Sequence, residues 1–215
     1  MPPRRTPRDP ERVMAEERPG VVLASASITR RAILEASGVS FITDPAAVDE
    51  AGIKAAMAAD GARAEDCALE LARLKAARLS PRHAGRLVIG ADQILDLEGV
   101  WFDKPENRDR ARETLTALRG KTHGLATAAC IFRDGTRIWH HIETPRLTMR
   151  NFTDAFLDRY LDTAGDEILA SVGAYRLEGT GVQLFSRIEG SYFTILGLPL
   201  LALLDFLRAN GVVME

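Results

Sequence analysis

Residues 87–105, LVIGADQILDLEGVWFDKP, decide how this chain is read. The apolar run at 87–89 predicts a buried strand that enters Gly90-Ala91 and delivers Asp92 where the strand meets solvent. A short apolar segment then leads to Asp103-Lys104-Pro105. A carboxylate at a strand mouth, with a cation one short excursion later, suits a site for metal and phosphate. Taken alone, the same residues also read as a surface hairpin, so the flanking sequence has to choose between the two.

Toward the N-terminus, VVLA at 21–24 predicts a second buried strand and Ser25-Ala26-Ser27 the turn that follows it. Ser27 is placed to cap a helix over 28–36, which Gly38 stops. Such a strand, turn and helix start points backbone N–H groups outward with the positive end of the helix dipole behind them, and that suits an anion. Ser25 and Ser27 add hydroxyl donors, and Arg30 or Arg31 can clamp phosphate oxygens. The plainer alternative is a capped surface helix with solvated arginines. A short strand at 40–43 leads through Pro45 to Asp49-Glu50, which reads either as a metal- or phosphate-site carboxylate or as a polar loop. Over 64–79, apolar Ala68, Leu71, Ala72, Leu74 and Leu79 predict a helix closed by Pro81. Lys75 interrupts its apolar face and either reaches a phosphate or snorkels to water.

Toward the C-terminus, Asn107 caps a helix over 108–118 that ends at Gly120. A strand at 125–132 meets Asp134-Gly135, a hairpin signal, and returns over 137–142. Pro145 makes the continuation an edge or a break. Thr153 starts a helix to Thr163, closed by Gly165. Gly173-Ala174-Tyr175, with Glu178-Gly179 after it, reads as a tight loop around a buried aromatic; Glu178 either accepts from a base edge or caps a turn. Strands at 182–188 and 193–196 flank a Gly190-Ser191 turn, and a terminal helix over 198–207 ends at Asn210-Gly211. Alternating strands and helices make the class α/β, and the hairpin makes the sheet mixed.

Composition removes several functions. The 215 residues suffice for one core; 46% are apolar, 27% charged, and the formal charge is −2, so no global field points to nucleic acid or a membrane surface. Cys67 and Cys130 lack metal-ligand spacing, and the four histidines form no HxxxH or HExxH pattern. No apolar run approaches the roughly 20 residues a membrane helix needs. Residues 1–20, rich in Pro, Arg and Glu, read as a disordered tail rather than a secretory signal, ahead of a single domain over 21–215, with the cytoplasm as the compartment. There is no G-x-S-x-G elbow, and His123 has no orienting partner in sequence, which makes it a structural residue.

LASAS with a following RR, then VDE, LARLKA, GADQ, DKP, GKTHG, GAY, EG, IEGSY and GLPL occur in this order between about 21 and 207. Together they resemble the Maf family of nucleoside triphosphate pyrophosphatases. The resemblance implies an elongated, two-lobed Maf/ITPase-like fold, in which a mixed twisted sheet flanked by helices carries a central cleft, and often a homodimer. It implies cleavage of a nucleoside triphosphate to the monophosphate and diphosphate with a divalent cation such as Mg²⁺ or Mn²⁺. By the same resemblance Asp92 is the catalytic carboxylate, as base or metal ligand, and Glu50 helps hold the metal. Ser25, Ser27 and Arg30 form the phosphate turn with Arg31 beside them, and Lys75 and Lys104 are phosphate-binding lysines. Thr29, Gln93 and Glu178 fall at positions that sort the family by base. Gln93, Glu178 and the Arg30-Arg31 pair resemble the 7-methyl-GTP branch, whereas Thr29 departs from it, and Ile28 stands where a proline is usual. The alternatives are a dTTP/UTP-type pyrophosphatase and a nucleotide-binding regulator of cell division or septum formation.

Overall fold

The computed structural model describes residues 20–214. Its sheet contains β1 (Val21–Leu23), β2 (Phe41–Thr43), β3 (Leu87–Leu97), β4 (Val100–Phe102), β5 (Thr122–Arg133), β6 (Thr136–Glu143), β7 (Arg146–Met149) and β8 (Phe185–Glu189). Against it pack α1 (Ile28–Ala36), α2 (Glu50–Ala59), α3 (Ala64–Leu79), α4 (Arg108–Leu118), α5 (Asp154–Ala164), the single turn α6 (Tyr192–Ile195) and α7 (Leu200–Ala209). The order across the sheet is β2-β1-β3-β5-β7-β8, with β4 folded back on β3 and β6 on β5. β2, β1 and β3 run parallel; from β3 onward the pairing is antiparallel. The fold is a mixed α/β sheet flanked by helices, as the alternation of signals predicts.

β1 reads as an unbroken apolar run because both of its faces are covered. Side chains alternate across a strand. Val22 and Val88 therefore turn to α3, where they meet Cys67, Leu71 and Leu79. Leu23, Leu87 and Ile89 turn the other way, onto Ile33 and Leu34 of α1 and Leu203 and Leu207 of α7. A third cluster joins Leu95 and Leu125 to Leu115 of α4, Leu157 of α5 and Tyr175.

α3 crosses β3 at short range because the residues at the crossing are small. A Cβ placed on Gly90 would stand 2.0 Å from the Ala72 carbonyl oxygen and 3.0 Å from the Ala76 Cβ. The absent side chain lets a helix carbonyl lie against the strand, which sets Lys75 of α3 beside Asp92, two residues along β3 from Gly90.

Several expectations need correction. Asp92 is not at a strand mouth: β3 continues to Leu97, paired with β5 from Val88↔Phe132 to Asp96↔Gly124. It is the other neighbour that ends, since β1 stops at Leu23 opposite Ile89. The hairpin reading of 87–105 holds for its far end, where Glu98-Gly99 turns β3 into β4. Residues 193–196 are not a strand; they fall in and just after α6, whose N–H groups at Ile195 and Leu196 donate to the Ser191 and Tyr192 carbonyls. The apolar run there is buried by packing rather than by sheet pairing. The strand expected over 182–188 starts only at Phe185, after a 3-10 turn at Thr180–Leu184. Asp49-Glu50 is no loop: the Asp49 carboxylate accepts from Gly52 N at 3.0 Å and caps α2, with Glu50 its first residue. The tail expectation for 1–20 concerns residues that, Gly20 aside, lie outside those described. No helix among the described residues is long and apolar enough to cross a membrane.

Candidate active site

Between Ile89, where β1 ends, and Leu95, where β4 begins, the edge of β3 has no strand beside it, and a cleft opens there. Ligands of open α/β sheets occupy this kind of place, outside the carboxyl ends of the parallel strands. The cleft takes Ser25 and Ser27 from the turn after β1, Arg30 from the first turn of α1, Glu50 and Lys54 from α2, and Lys75 from α3. Asp92 and Gln93 come from β3, and Asp103 and Lys104 from the loop after β4. Its opposite wall is more apolar, with Val172, Tyr175, Leu177, Ile195 and Leu196.

The turn after β1 is built from its own serines. Ser25 Oγ accepts from Ser27 N at 3.2 Å, and Ser27 Oγ accepts from Arg30 N at 3.2 Å, which caps α1. Arg30 is buried. Its Nε donates to the Gly197 carbonyl at 2.7 Å and its Nη1 to Ser25 Oγ at 3.3 Å. Burial lowers the Arg30 pKa from its ordinary value, while the charges of Asp92 and Glu50 oppose that shift. Gly197 sits at φ +101°, and a Cβ there would come within 3.1 Å of Arg30 Nε, so the GLPL glycine accommodates both the turn and the guanidinium.

Lys75 organises the floor. Its buried ammonium donates to Glu50 Oε1 at 2.7 Å and to Asp92 Oδ2 at 2.8 Å, so two carboxylates from different elements converge on one point. Asp92 Oδ1 accepts from its neighbour's amide, Gln93 N, at 2.7 Å. Lys104 lines the same cleft. Its pKa is lowered by desolvation and by neighbouring Arg30 and Lys75, against the pull of Glu50 and Asp92. Of the residues expected from sequence, Ser25, Ser27, Thr29, Arg30, Glu50, Lys75, Asp92, Gln93, Lys104 and Glu178 all line one hollow.

Arg31 is the exception. One residue along a helix is a rotation of about 100°, so Arg31 points away from Arg30, lies exposed and meets Glu35 at 3.7 Å. Glu178 is only partly available to a ligand, because its Oε1 accepts from Arg176 Nε at 3.1 Å while Arg176 also pairs with Glu167. Lys54 was missed from sequence. It lies one turn after Glu50 and donates to Asp103 Oδ1 at 2.9 Å across the rim. Burial lowers its pKa, but the hydrogen bond and charge of Asp103, with Asp92 and Glu50, more than offset this and raise it overall. Recognising 50–59 as a helix would have put Lys54 on the Glu50 face.

His123 has a partner that the sequence did not reveal: its Nε2 lies 2.8 Å from the Tyr175 hydroxyl behind the cleft wall, and its Nδ1 has none. Desolvation pulls the His123 pKa down to about 4. The unfolded chain therefore binds the proton more readily between about pH 6.5 and 4. Stability from neutral His123 is complete above about 6.5 and drains away as pH falls toward 4, by an amount on the order of 3 kcal/mol. Urea unfolding across that range is expected to show this slope in wild type and to lack that share of it in His123→Gln.

Glu50 and Asp92 also meet the needs of a divalent cation. Both offer hard oxygen donors that already face a common positive charge. Among the described residues no group of three or more His, Cys, Asp or Glu forms a ready-made cage. Mg²⁺ commonly uses one or two carboxylates together with substrate phosphates and water. The donor set therefore fits an ion shared with a phosphate ligand.

Fold and cleft together define an α/β protein whose cleft is lined by serine hydroxyls, a buried arginine, lysines and paired carboxylates. The chain belongs to the Maf family: the profile described as Maf-like protein matches residues 20–210. It is 58% identical over 190 residues to the nucleoside triphosphate pyrophosphatase of Paramagnetospirillum magneticum, a span covering 88% of this chain and 98% of that one. Proteins of the same name from Granulibacter bethesdensis and Rhodospirillum rubrum are 53% and 52% identical. Those matches span 88% and 92% of this chain and 96% and 98% of theirs.

Proposed function

We propose that the chain hydrolyses a nucleoside triphosphate to the monophosphate and diphosphate, with Asp92 taking the proton of the attacking water. The observation that supports this reading is the pairing of Lys75 with both Asp92 and Glu50 on the floor of a cleft that Arg30, Lys54 and Lys104 also line. Attack at the α-phosphorus moves charge onto the bridging oxygen and the departing diphosphate, and cations fixed in advance around those oxygens lower the barrier. Ser25, Ser27 and the N-terminus of α1 donate to phosphate oxygens, and Arg30 does so from a position held by the Gly197 carbonyl. Asp92 is fixed by Lys75 and Gln93 N, as a general base must be. Glu50 and Asp92 would hold Mg²⁺ or Mn²⁺, which when bound supplies positive charge against the phosphates.

With the cations on one side, the base lies toward Val172, Leu177 and Leu196. Glu178 on that side favours guanine, whose N1–H and N2–H both donate to a carboxylate, and 7-methyl-GTP is the substrate we expect. Incubation with 7-methyl-GTP, GTP, dTTP and UTP, with Mg²⁺ or Mn²⁺, tests this. The expected products are monophosphate and diphosphate in equal amounts, fastest from 7-methyl-GTP and none in EDTA. Release of orthophosphate would overturn the assigned cleavage point, a preference for dTTP or UTP would move the chain to the pyrimidine branch, and binding without turnover would leave a regulatory role.

A further inference from the structure

Arg30 is aimed by a carbonyl far away in sequence. Its Nε donates to Gly197 O at 2.7 Å and its Nη1 to Ser25 Oγ at 3.3 Å, while Nη2 has no partner among the described residues and Arg30 lines the cleft. The carbonyl bond is the shorter of the two anchors, and it spans 167 positions. Gly197 follows α6, which is a single turn. An isolated helix needs roughly 12–15 residues to be even marginal in water, so this turn takes its place from what it packs on. Ile195 and Leu196 supply apolar burial, which has no direction.

Direction comes from polar contacts at Thr194. Fully buried, it donates its hydroxyl to Glu143 Oε2. Its carbonyl accepts from Gln93 Nε2 at 3.0 Å, from Thr127 Oγ1 at 3.2 Å and from Gly197 N at 2.9 Å. The last of these ties Thr194 to the very glycine that holds Arg30. Glu143 ends β6 opposite Thr127 of β5, and its other oxygen lies 3.1 Å from His141 Nε2.

We infer that Glu143 and Thr194, neither of which lines the cleft, are positioning residues: they fix the turn at 194–197, and the turn fixes the Arg30 guanidinium for phosphate. This rests on the reading of the cleft as a triphosphate site. Binding groups act only when held within about 0.5 Å of the productive geometry, and a buried hydroxyl bonded to a carboxylate supplies that precision. Thr194→Val keeps the shape of the side chain and removes the bond. Glu143 then loses its donor, and the turn is free to shift on its apolar contacts.

Calorimetric binding of the uncleavable α,β-methylene analogue of GTP tests the inference without requiring turnover. Thr194→Val and Glu143→Leu are each expected to weaken binding about tenfold, as loss of one hydrogen bond to a charged group does. Thr194→Ser, which keeps the hydroxyl, and Glu143→Gln, which keeps an acceptor, should stay within about threefold of wild type. In an Arg30→Gln background, Thr194→Val should cost less than about a further twofold, because the group it positions is gone. A role in general stability would instead give the same loss in both backgrounds. Equal losses, wild-type affinity in Thr194→Val, or Thr194→Ser as weak as Thr194→Val would overturn the inference; the serine variant decides even if Arg30→Gln fails to fold. Coupled losses with no diphosphate released from GTP itself would sink the hydrolase reading and leave this one standing. A wild type that does not bind the analogue would overturn both.

Discussion

Asp92→Asn is expected to lower diphosphate release about 10³-fold while the chain stays folded, within the range that general bases contribute. The amide is nearly isosteric, so Gln93 N keeps an acceptor, and Lys75 keeps Glu50 at 2.7 Å. What disappears is the group that takes the proton and one of two negative charges against the buried ammonium. Breaking a buried pair outright commonly costs about 3–5 kcal/mol; with Glu50 still in place the loss should fall below that range. Diphosphate release measured beside urea unfolding separates the two effects. Activity within tenfold of wild type would remove Asp92 from proton transfer.

Gly90→Val has the largest expected effect on folding. Its first side-chain carbon would overlap the Ala72 carbonyl, a backbone atom that moves only if α3 moves with it. Overpacking of a core commonly costs about 1–3 kcal/mol, and a clash with helix backbone belongs at or beyond the upper end. The free energy of unfolding should fall by an amount at or beyond that upper end, and the urea midpoint with it. In whatever fraction still folds, diphosphate release should drop as well, because displacing α3 takes Lys75 away from Asp92. Gly20→Ala is the control: its added carbon would meet only the Arg86 side chain, at 3.5 Å or more, and should change little. A Gly90→Val chain as stable and active as wild type would disprove the packing argument.

What could be read from the sequence was local or carried by family motifs. The caps at Ser27, Asn107 and Thr153 stand where expected, because a cap concerns a side chain and an amide three residues away. The ordered motifs identified the residues that line the cleft. Most of what was missed depended on distant partners. Helix α2 fully buries none of its residues and its apolar stripe amounts to Ile53 and Met57, so EAGIKAAMAA gives only a faint helical signal, and Lys54 went with it. The β-branched and aromatic content of 192–195 favours a strand, yet no neighbouring strand is available and the segment coils into a turn. The orientation of the Gln93 amide depends on carbonyls at Thr194 and Ile195, about a hundred positions away, which no reading of GADQ could supply.

The three-residue length of β1 has an implication for how such a protein can be altered. Its open edge exists by omission, because no strand pairs that side of β3 between the end of β1 and the start of β4. Insertions that lengthen β1 would zip that edge shut without touching any reactive side chain, and substitutions further along β3 would leave the opening intact. The cleft is guarded by a gap in the weave, which makes one of the three shortest strands of the sheet the one least free to grow.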